Sequence, residues 1–345
     1  MSTPVPEPIA ERARAPRVLV LPPAELGLTW RALGLSDVAN LHALFIRIES
    51  HDDPPYRTTR EEAAENFEGD WKDPLNNSLG GFDGEGNLRA YGTVTVQPGD
   101  ERAVRAFLEG GVDPGRRRQG IGAAVLDWQV ARARQRLAAS GKDVPGRIVV
   151  YVEDGMDDVV AMLTARAFFP RRWYTEMRRD LRKPLPEVKL GNHLDVVPWS
   201  RELDDHVRLA HNEAFADHWG SEPHTPETWS DGRTYFAPTW SFLVLDRTSD
   251  RAQVAGYLLS GRYEQDWGSL GWSEGCIDIL GVRRQWRGQQ VATALLVRAM
   301  GAYRADGMEY AGLGVDTDNP TGRFGLYGKL RFEPTRGSTM YTIEL

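Results

Sequence analysis

The chain contains very little cysteine and histidine. Cys276 is the only cysteine, and the 345 residues include 7 histidines. A single cysteine cannot form a disulfide or a thiolate metal cluster within the chain, so we expect a reducing, cytoplasmic environment. His211 and His218 are spaced to share a helix face, but no third ligand accompanies them. We therefore expect no metal site.

Long apolar runs and an excess of positive charge are also missing. No segment has the length of a membrane span, and residues 1–25 lack the apolar core of a signal peptide. The formal net charge is −7, opposite in sign to the basic field that nucleic-acid phosphates require. These absences argue against a membrane protein and against a dedicated nucleic-acid binder. The Pro, Glu and Arg content of residues 1–25 predicts a flexible tail.

An internal repeat is the main feature that the chain does have. The order strand-helix-strand-strand-strand-helix-strand-helix-strand can be assigned twice, with Ser36 and Ser200 as expected N-caps of the first helix in each half. The sequence predicts an α/β (α+β) fold of two tandem domains, each a mixed, mostly antiparallel sheet flanked by helices. We expect these domains at 26–182 and 193–345. The Pro-rich and charged segment 183–192 is the expected linker.

Each half contains one similar stretch in which a strand leads through a basic turn into a helix. It is "VDPGRRRQGIG" at 112–122 and "VRRQWRGQQVA" at 282–292. Helix N-terminal amides lack intrahelical partners and attract anions, and glycine lets a phosphate approach closely. Gln290 stands where the first stretch has Gly120, and we expect its Cβ to weaken phosphate binding by about 1–2 kcal/mol. Gly288 is expected to supply compensating backbone freedom. A dinucleotide-binding fold is not favoured, because its motif has another glycine spacing and follows a parallel strand.

The residues Arg117-Arg118-Gln119-Gly120-Ile121-Gly122 fit the pattern Arg/Gln-x-x-Gly-x-Gly/Ala. Together with the repeated element order and "LGVDTDNPTGRFGLYGKLRFEP" at 313–334, they make the chain resemble the GNAT superfamily of acetyl-CoA-dependent N-acyltransferases, in tandem. The stretch "AHNEAFADHW" at 210–219 is similar to the C-terminal half of mycothiol synthases. The resemblance implies direct transfer of an acetyl group from acetyl-CoA to an amine, which we expect to belong to a small molecule. The mycothiol precursor and protein amines stay open as acceptors.

The resemblance also implies roles for individual residues. Tyr327 corresponds to the acid that protonates the leaving thiolate, and Glu274 or Asp278 to the carboxylate that accepts the proton of the amine. His218 and Trp219 are candidates for contact with the acceptor. The residues expected to bind the coenzyme lie on strand ends, loops and helix starts of both halves: Gly110, Gly111, Val112, Arg117, Arg118, Gln119, Gly120, Ile121, Gly122, Ala123, Leu280, Gly281, Val282, Arg287, Gly288, Gln289, Gln290, Val291, Ala292, Thr293 and Asn319.

The two halves differ at the positions that matter for chemistry. Leu163 aligns with Tyr327, and Gly155 aligns with Asn319. We therefore expect catalysis in the C-terminal domain, with the N-terminal domain binding coenzyme structurally. Two alternatives stay open: catalysis in the N-terminal domain, and a non-catalytic acyl-CoA-binding protein. The sequence predicts no oligomeric state.

The long strand supports the same assignment if its side chains alternate regularly. Glu274, Cys276, Asp278 and Leu280 would then share one face with Val282. Val104 and Leu108 are the expected counterparts of Glu274 and Asp278. The first half does contain Glu109, but its parity places it on the other face, so only the second half would own a carboxylate on that face. A β-bulge would change this parity.

Overall fold

The computed structural model describes residues 7–317 and 323–345. They form two compact units. The first unit contains the chain up to Arg171 together with Met340–Leu345, and the second contains Arg172–Thr339.

The described residues form the following strands and helices, joined by loops and short 3-10 turns. The strands are β1 Thr29–Arg31, β2 Ser78–Phe82, β3 Leu88–Val96, β4 Val104–Val112, β5 Gly146–Glu153, β6 Phe169–Asp180, β7 Leu194–Pro198, β8 Phe242–Asp246, β9 Gln253–Gly261, β10 Glu274–Val282, β11 Tyr310–Asp316 and β12 Glu333–Glu344. The helices are α1 Ile9–Arg12, α2 Val38–Asp52, α3 Arg60–Glu65, α4 Pro74–Asn77, α5 Ile121–Ala138, α6 Asp157–Thr164, α7 Asp204–Ala214, α8 Pro226–Ser230, α9 Trp267–Leu270, α10 Val291–Ala305 and α11 Arg323–Lys329.

Each unit has a mixed, mostly antiparallel sheet with helices on both faces. In the first unit the strand order is β1-β2-β3-β4-β5, with only β4 and β5 parallel. In the second it is β7-β8-β9-β10-β11-β6, with only β10 and β11 parallel. Helices α5 and α10 pack on one face of these sheets, and α2 and α7 pack on the other. The predicted layering is confirmed, because the alternating apolar faces need helices on both sides to bury them.

The closing strand of each unit comes from the other half of the sequence. Residues Tyr174–Asp180 of β6 pair antiparallel with β11 in the second unit. In the first unit, Leu345 and Gly146 exchange two backbone hydrogen bonds of 3.0 and 2.8 Å. The compact units therefore divide the chain at Arg171, whereas the predicted domains divide it at 183–192. The predicted domain boundaries follow the sequence repeat, and the units follow the strand pairing.

Two local expectations do not hold. Residues 9–16 of the expected loose tail are packed against the rest of the first unit. Ile9 and Ala13 are fully buried, and Gln135 donates to the carbonyl of Pro16 at 2.9 Å. Neither Ser36 nor Ser200 caps a long helix, because a 3-10 turn precedes both α2 and α7 and no side chain bonds their first amides.

Candidate active site

Each unit carries a loop between its long strand and its longest helix. In the first loop (residues 113–120) the chain passes from β4 to α5, whose N-cap is Gly120. In the second loop (residues 283–290) it passes from β10 to α10, whose N-cap is Gln290. No side chain caps either helix. The first helical amides are therefore open to an outside acceptor, the arrangement that binds phosphate.

The two loops place glycine at different positions of one backbone path. Left-handed backbone occurs at Arg118 (φ 61°) and Gly120 (φ 82°) in the first loop, and at Gly288 (φ 79°) and Gln290 (φ 62°) in the second. These positions correspond, since 288 − 118 and 290 − 120 both equal 170. At these two left-handed positions each loop thus has one glycine and one residue with a side chain, which carries a cost of about 1 kcal/mol for left-handed backbone. Gln290 preserves the path of the loop, and its expected effect on coenzyme affinity stays a prediction.

Arg117 and Arg287 fasten these loops to the rest of their units. The Nε of each donates to the last carbonyl of the preceding strand, at 3.1 and 3.2 Å. The remaining nitrogens of Arg117 bind Asp52 at the end of α2, at 2.6 and 2.7 Å. Those of Arg287 reach the carbonyl of Ala214 at the end of α7, at 2.7 Å. Both side chains therefore hold their loops in place, and the backbone amides of the loops are the groups that could bind a coenzyme.

The arginines of the two loops differ in their partners. Among the described residues Arg118 of the first loop forms no hydrogen bond or ion pair, and Arg116 donates to a backbone carbonyl at 3.3 Å. Two arginines of the second loop are each paired with a carboxylate: Arg283 with Glu213 at 2.6 Å, and Arg284 with Asp217 at 3.2 Å. Arg118 is therefore a cation that the first loop can offer to an anion.

Next to each loop, the two parallel strands separate and open a cleft. The last parallel pairs are Phe107 with Val149 in the first unit and Ile277 with Leu313 in the second. Beyond them, the ends of β4 and β10 have no strand partner on that side in the described chain, so their backbone groups are available to a bound extended molecule. This edge contains the residues predicted to hold the coenzyme arm: Gly110, Gly111, Val112, Leu280, Gly281 and Val282.

Asp278 is an extra residue in β10. The pairing of β10 with β9 shifts between Ile277 and Ile279, whereas β4 pairs with β3 without interruption from 106 to 112. A bulge of this kind turns the side chains beyond it to the other face of the strand. It lies immediately after the last parallel pair, so Asp278 stands where the cleft of the second unit opens.

The bulge overturns the expectation that Glu274, Cys276, Asp278, Leu280 and Val282 share one face. Leu280 and Val282 pack with α10 in the same hydrophobic cluster as residue 277, just ahead of the bulge. Glu274 and Cys276 precede the bulge at alternate positions and lie on the opposite face, away from α10. The side chains of Leu280 and Val282 therefore lie on one face of β10, and the two carboxylates lie on the other.

The bulge also changes which residues correspond in the two long strands. Ahead of it the offset is 169, because Ile277 and Leu108 are the residues that pack in the two cores (277 − 108 = 169). Glu274 therefore corresponds to Arg105 and not to the expected valine. Asp278 has no counterpart in β4 as an extra residue, but Glu109 directly follows Leu108 there, is exposed and faces away from the core.

The two carboxylates lie on either side of Cys276. The Oε1 of Glu274 lies over Gly312 of β11, where a Cβ would be 2.8 Å away. The Oδ2 of Asp278 lies over Gly261 of β9, where a Cβ would also be 2.8 Å away. Neither carboxylate forms an ion pair with a described residue. The two glycines leave the room that these carboxylates occupy, and positive charge reaches them only from a distance: Arg336 and Arg178 act on Glu274, and Arg233 acts on Asp278.

Enclosure by the protein raises the pKa of both carboxyl groups. Burial raises the pKa of Asp278 to about 7, although hydrogen bonds from Cys276 and from Tyr263 (3.4 Å to Oδ1) act in the other direction. Burial also raises the pKa of Glu274, opposed by Trp272, whose Nε1 donates at 2.9 Å. Asp278 still has surface open to solvent, as a side chain lining a cleft does. A carboxyl with a pKa near 7 is suited to accept a proton at neutral pH.

Tyr327 lies on α11, half-buried with its ring edge-on to Phe332 at 5.9 Å between centroids. Its hydroxyl forms no hydrogen bond with any residue that the structure describes, and burial raises its pKa. The phenol is thus protonated and free to donate. At the corresponding position of α6 the first unit has the fully buried Leu163. Asn319 lies outside the described residues.

The segment that follows α7 reaches the other side of the cleft. The ring of Trp219 lies 4.3 Å from the guanidinium of Arg172, and Arg172 lies 3.9 Å from Asp316 at the end of β11. His218 packs on Phe215 at the end of α7, with 5.5 Å between ring centroids. The structure therefore places Trp219 near the cleft and His218 beside α7. Their contact with an acceptor stays a prediction.

Sequence reasoning missed the side chains that surround the carboxylates. Tyr263 and Trp272 donate to them, and Arg178 of β6 stacks on Trp272 at 3.9 Å and on Tyr310 at 4.4 Å. The only signal was the density of aromatic residues in the β9–β10 connection, which fits no motif.

Clusters of metal-ligating side chains and membrane-spanning helices are both absent from the described part of the chain. Its side chains include no group of three or more potential metal ligands. None of its helices combines the length and apolar character needed to cross a membrane.

No protein-family model matches the sequence, and no curated protein matches it either. Solved structures nevertheless resemble it over nearly its whole length. A GCN5-related N-acetyltransferase from Sphaerobacter thermophilus covers 94% of this chain and 97% of its own, with a TM-score of 0.67 and 23% identity. A tandem GNAT protein from the clavulanic acid biosynthesis pathway covers 92% and 98%, with a TM-score of 0.63 and 16% identity. Saccharomyces cerevisiae N-myristoyltransferase with bound myristoyl-CoA covers 98% and 86%, with a TM-score of 0.61 and 11% identity.

These similarities confirm the predicted fold class, and the second of them matches the whole tandem arrangement. They do not show the expected likeness to mycothiol synthases. The chain has the fold of the GCN5-related N-acetyltransferases, present in tandem.

Proposed function

We propose that the chain is an acetyl-CoA-dependent N-acetyltransferase acting on a small-molecule amine, and that the second unit performs the reaction. The observation that carries this proposal is the position of Asp278. It is a carboxylate with a pKa of about 7, on an extra residue where β10 leaves β11. Bulges that re-aim one side chain are common beside active sites. Strand β4 of the first unit has no bulge, and its carboxylate near the cleft is Glu109, in regular pairing with β3.

The proposed reaction forms a C–N bond and breaks a C–S bond. The amine nitrogen attacks the thioester carbonyl carbon, Asp278 accepts a proton from that nitrogen, and Tyr327 gives its proton to the leaving sulfur. Both groups have the protonation state that this requires, because the pKa of Tyr327 is raised and that of Asp278 is about 7. Glu274 is the second candidate for the base, because its pKa is also raised.

The acetyl-CoA site would combine the strand edge at 280–282 with the amides at 287–293. The fit rests on two observations: the start of α10 has no side-chain cap, and the edge of β10 beyond Ile277 has no partner strand among the described residues. An extended arm can bind such an edge, and a pyrophosphate can bind such amides.

We propose that the first unit binds coenzyme without turning it over. Its loop contains Arg118, which has no polar partner among the described residues, and its strand edge at 110–112 is open in the same way. Leu163 stands in place of the candidate acid, so that unit lacks the group proposed to protonate the leaving thiolate, although Glu109 gives its strand β4 a carboxylate. A cytoplasmic location belongs to the same proposal.

Two other functions have some support. Catalysis in the first unit is favoured by Gly120, which gives the first loop the complete glycine pattern. A non-catalytic acyl-CoA-binding protein is favoured because Arg118, which has no polar partner among the described residues, and the candidate acid Tyr327 lie in different units.

The proposal is tested by incubating the full chain with acetyl-CoA and a panel of primary amines, with free thiol release as the readout. We expect amine-dependent release for at least one small amine. A lysine-containing peptide distinguishes protein amines as acceptors. Tight acetyl-CoA binding without thiol release for any amine would contradict the proposal and support the non-catalytic alternative.

A further inference from the structure

On the face away from α10, the second unit has a trough with a glycine floor. Cys276, Gly312 and Arg178 are in register across β10, β11 and β6, so their side chains share this face. Gly314 continues the floor, and no heavy atom of the described residues lies within 4 Å of the position its Cβ would occupy. We call this feature the acceptor trough. Its β10 wall is Glu274, Cys276 and Asp278, its floor is Gly312 and Gly314, and its β6 wall is Arg178 and Glu176, the latter paired with Arg336 at 2.7 Å.

Arg178 is held by two rings and has its hydrogen-bonding edge unused. Its guanidinium lies 3.9 Å from the ring centroid of Trp272 and 4.4 Å from that of Tyr310. It forms no hydrogen bond or ion pair with any residue that the structure describes. Stacking occupies the faces of the guanidinium and leaves its five N–H groups free in a fixed plane. This geometry is prearranged for a planar anion such as a carboxylate.

The recess beside Arg178 has room for such a group. It has a volume of about 180 Å³ and is bounded by Arg178, Tyr310 and Thr335 together with charged side chains. The carboxylates at its border have cations of their own: Asp180 binds Arg182 at 2.9 Å, and Glu333 lies 3.5 Å from Lys183. Arg178 is thus the one charged group of this recess that lacks a polar partner among the described residues.

We propose that Arg178 binds a carboxylate of the acceptor, so that the acceptor is an amino acid whose reacting amine lies at Asp278, at the opposite wall of the trough. This inference rests on the proposed function. Two steps between neighbouring strands separate β10 from β6 by about 10 Å. The amine and the carboxylate of the acceptor are therefore separated by a chain of several carbons, as in an ω-amino acid. In an α-amino acid the two groups are too close together to reach both walls.

The test compares two series of acceptors: ω-amino acids with chains of about four to about eight carbons, and alkylamines of the same lengths. For each length, the ratio of the two kcat/KM values reports the contribution of the carboxylate. We expect the wild-type ratio to reach about tenfold or more at the favourable lengths, because bidentate bonds between charged groups are strong. Arg178→Gln should lower the ratio to about one, and Arg178→Lys should restore part of it.

The design has two internal controls. Each variant's alkylamine rate is the denominator of its own ratio, so a loss of folded protein cancels. Arg182→Gln removes a neighbouring exposed arginine that pairs with Asp180 and should leave the ratio at the wild-type value. An unchanged ratio in Arg178→Gln overturns the inference, as does a wild-type ratio near one while alkylamines are acetylated. Absence of thiol release with every amine overturns the proposed function, and this inference with it.

Discussion

Gly120 and Gln290 occupy one position in two copies of the same loop, and both have left-handed backbone, with φ of 82° and 62°. The duplication therefore preserved the path of the chain while the side chain changed. Gly288 stands at the other left-handed position of the second loop, where the first loop has Arg118. What distinguishes the loops is charge, because the arginines 283 and 284 are paired with carboxylates and Arg118 is not.

The first prediction separates binding from turnover. A carboxylate at either N-cap would face the bound pyrophosphate, so Gly120→Glu and Gln290→Glu should each disable one loop. We expect Gln290→Glu to lower turnover about tenfold or more and to leave the tighter coenzyme binding intact. Gly120→Glu should remove that tighter binding and leave the turnover rate unchanged. Calorimetric titration with acetyl-CoA and thiol release measure the two quantities.

Gly120→Gln is the matched control for this pair, since it places in the first loop the uncharged side chain that the second loop already accommodates. If Gln290→Glu turned over at the wild-type rate and Gly120→Glu did not, catalysis would belong to the first unit.

The second prediction concerns the pH dependence of the reaction. A base acts when deprotonated, and the pKa of Asp278 is about 7. Wild-type kcat/KM, corrected for the fraction of unprotonated amine, should therefore rise with pH up to about 7 and level off above it. Asp278→Asn should lower kcat/KM about a hundredfold or more and remove this rise. Initial rates at about eight pH values between about 5.5 and about 9 measure the profile.

Glu274→Gln tests the second candidate base against the first. It removes a carboxylate on the same strand whose pKa is also raised. We expect the rise near pH 7 to persist in this variant. Loss of the rise in Glu274→Gln, together with its retention in Asp278→Asn, would reverse the assignment.

The third prediction concerns stability and His211. Burial lowers the pKa of His211 to about 3, and its Nδ1 lies 2.6 Å from the hydroxyl of Tyr257. The unfolded state takes up a proton below pH 6.5 and the folded state does not, so this group makes the protein less stable as pH falls from 6.5 towards 3. Between pH 7 and pH 5 its contribution is a loss of about 2 kcal/mol.

His211→Gln keeps a polar partner for Tyr257 and cannot take up the proton. Its free energy of unfolding should fall about 2 kcal/mol less than that of the wild type between pH 7 and pH 5. Urea unfolding at the two pH values measures the difference. Equal losses in both proteins would show that the folded state protonates His211 as readily as the unfolded state does.

Local sequence predicted the strands and helices well, because their periodicity depends only on which side chains are buried. The predicted order of strands and helices recurs in both halves, from β1 to β6 and from β7 to β12, with a few short helices in addition. The glycine-rich loop and its helix were also foreseen, since the motif encodes both the left-handed backbone and the open helix start.

The features that the sequence did not predict depend on pairing between strands. A bulge adds one residue without changing the composition of a strand, so the extra position of Asp278 appears only against β9. The exchange of closing strands is likewise invisible, because β6 has the same local pattern whichever neighbour it joins. Arg178 was missed for the same reason, as its relation to Trp272 crosses two strands.

Catalysis by the second unit depends most directly on Tyr327 as its acid. The decisive measurement is steady-state turnover of Tyr327→Phe, which removes only the hydroxyl that has no hydrogen-bond partner among the described residues. Tyr341→Phe, a partly buried phenol of the first unit, is the matched control. We predict that Tyr327→Phe lowers kcat about tenfold or more with unchanged acetyl-CoA affinity, because the thiolate then leaves unprotonated. Turnover within about twofold of the wild type would contradict the account.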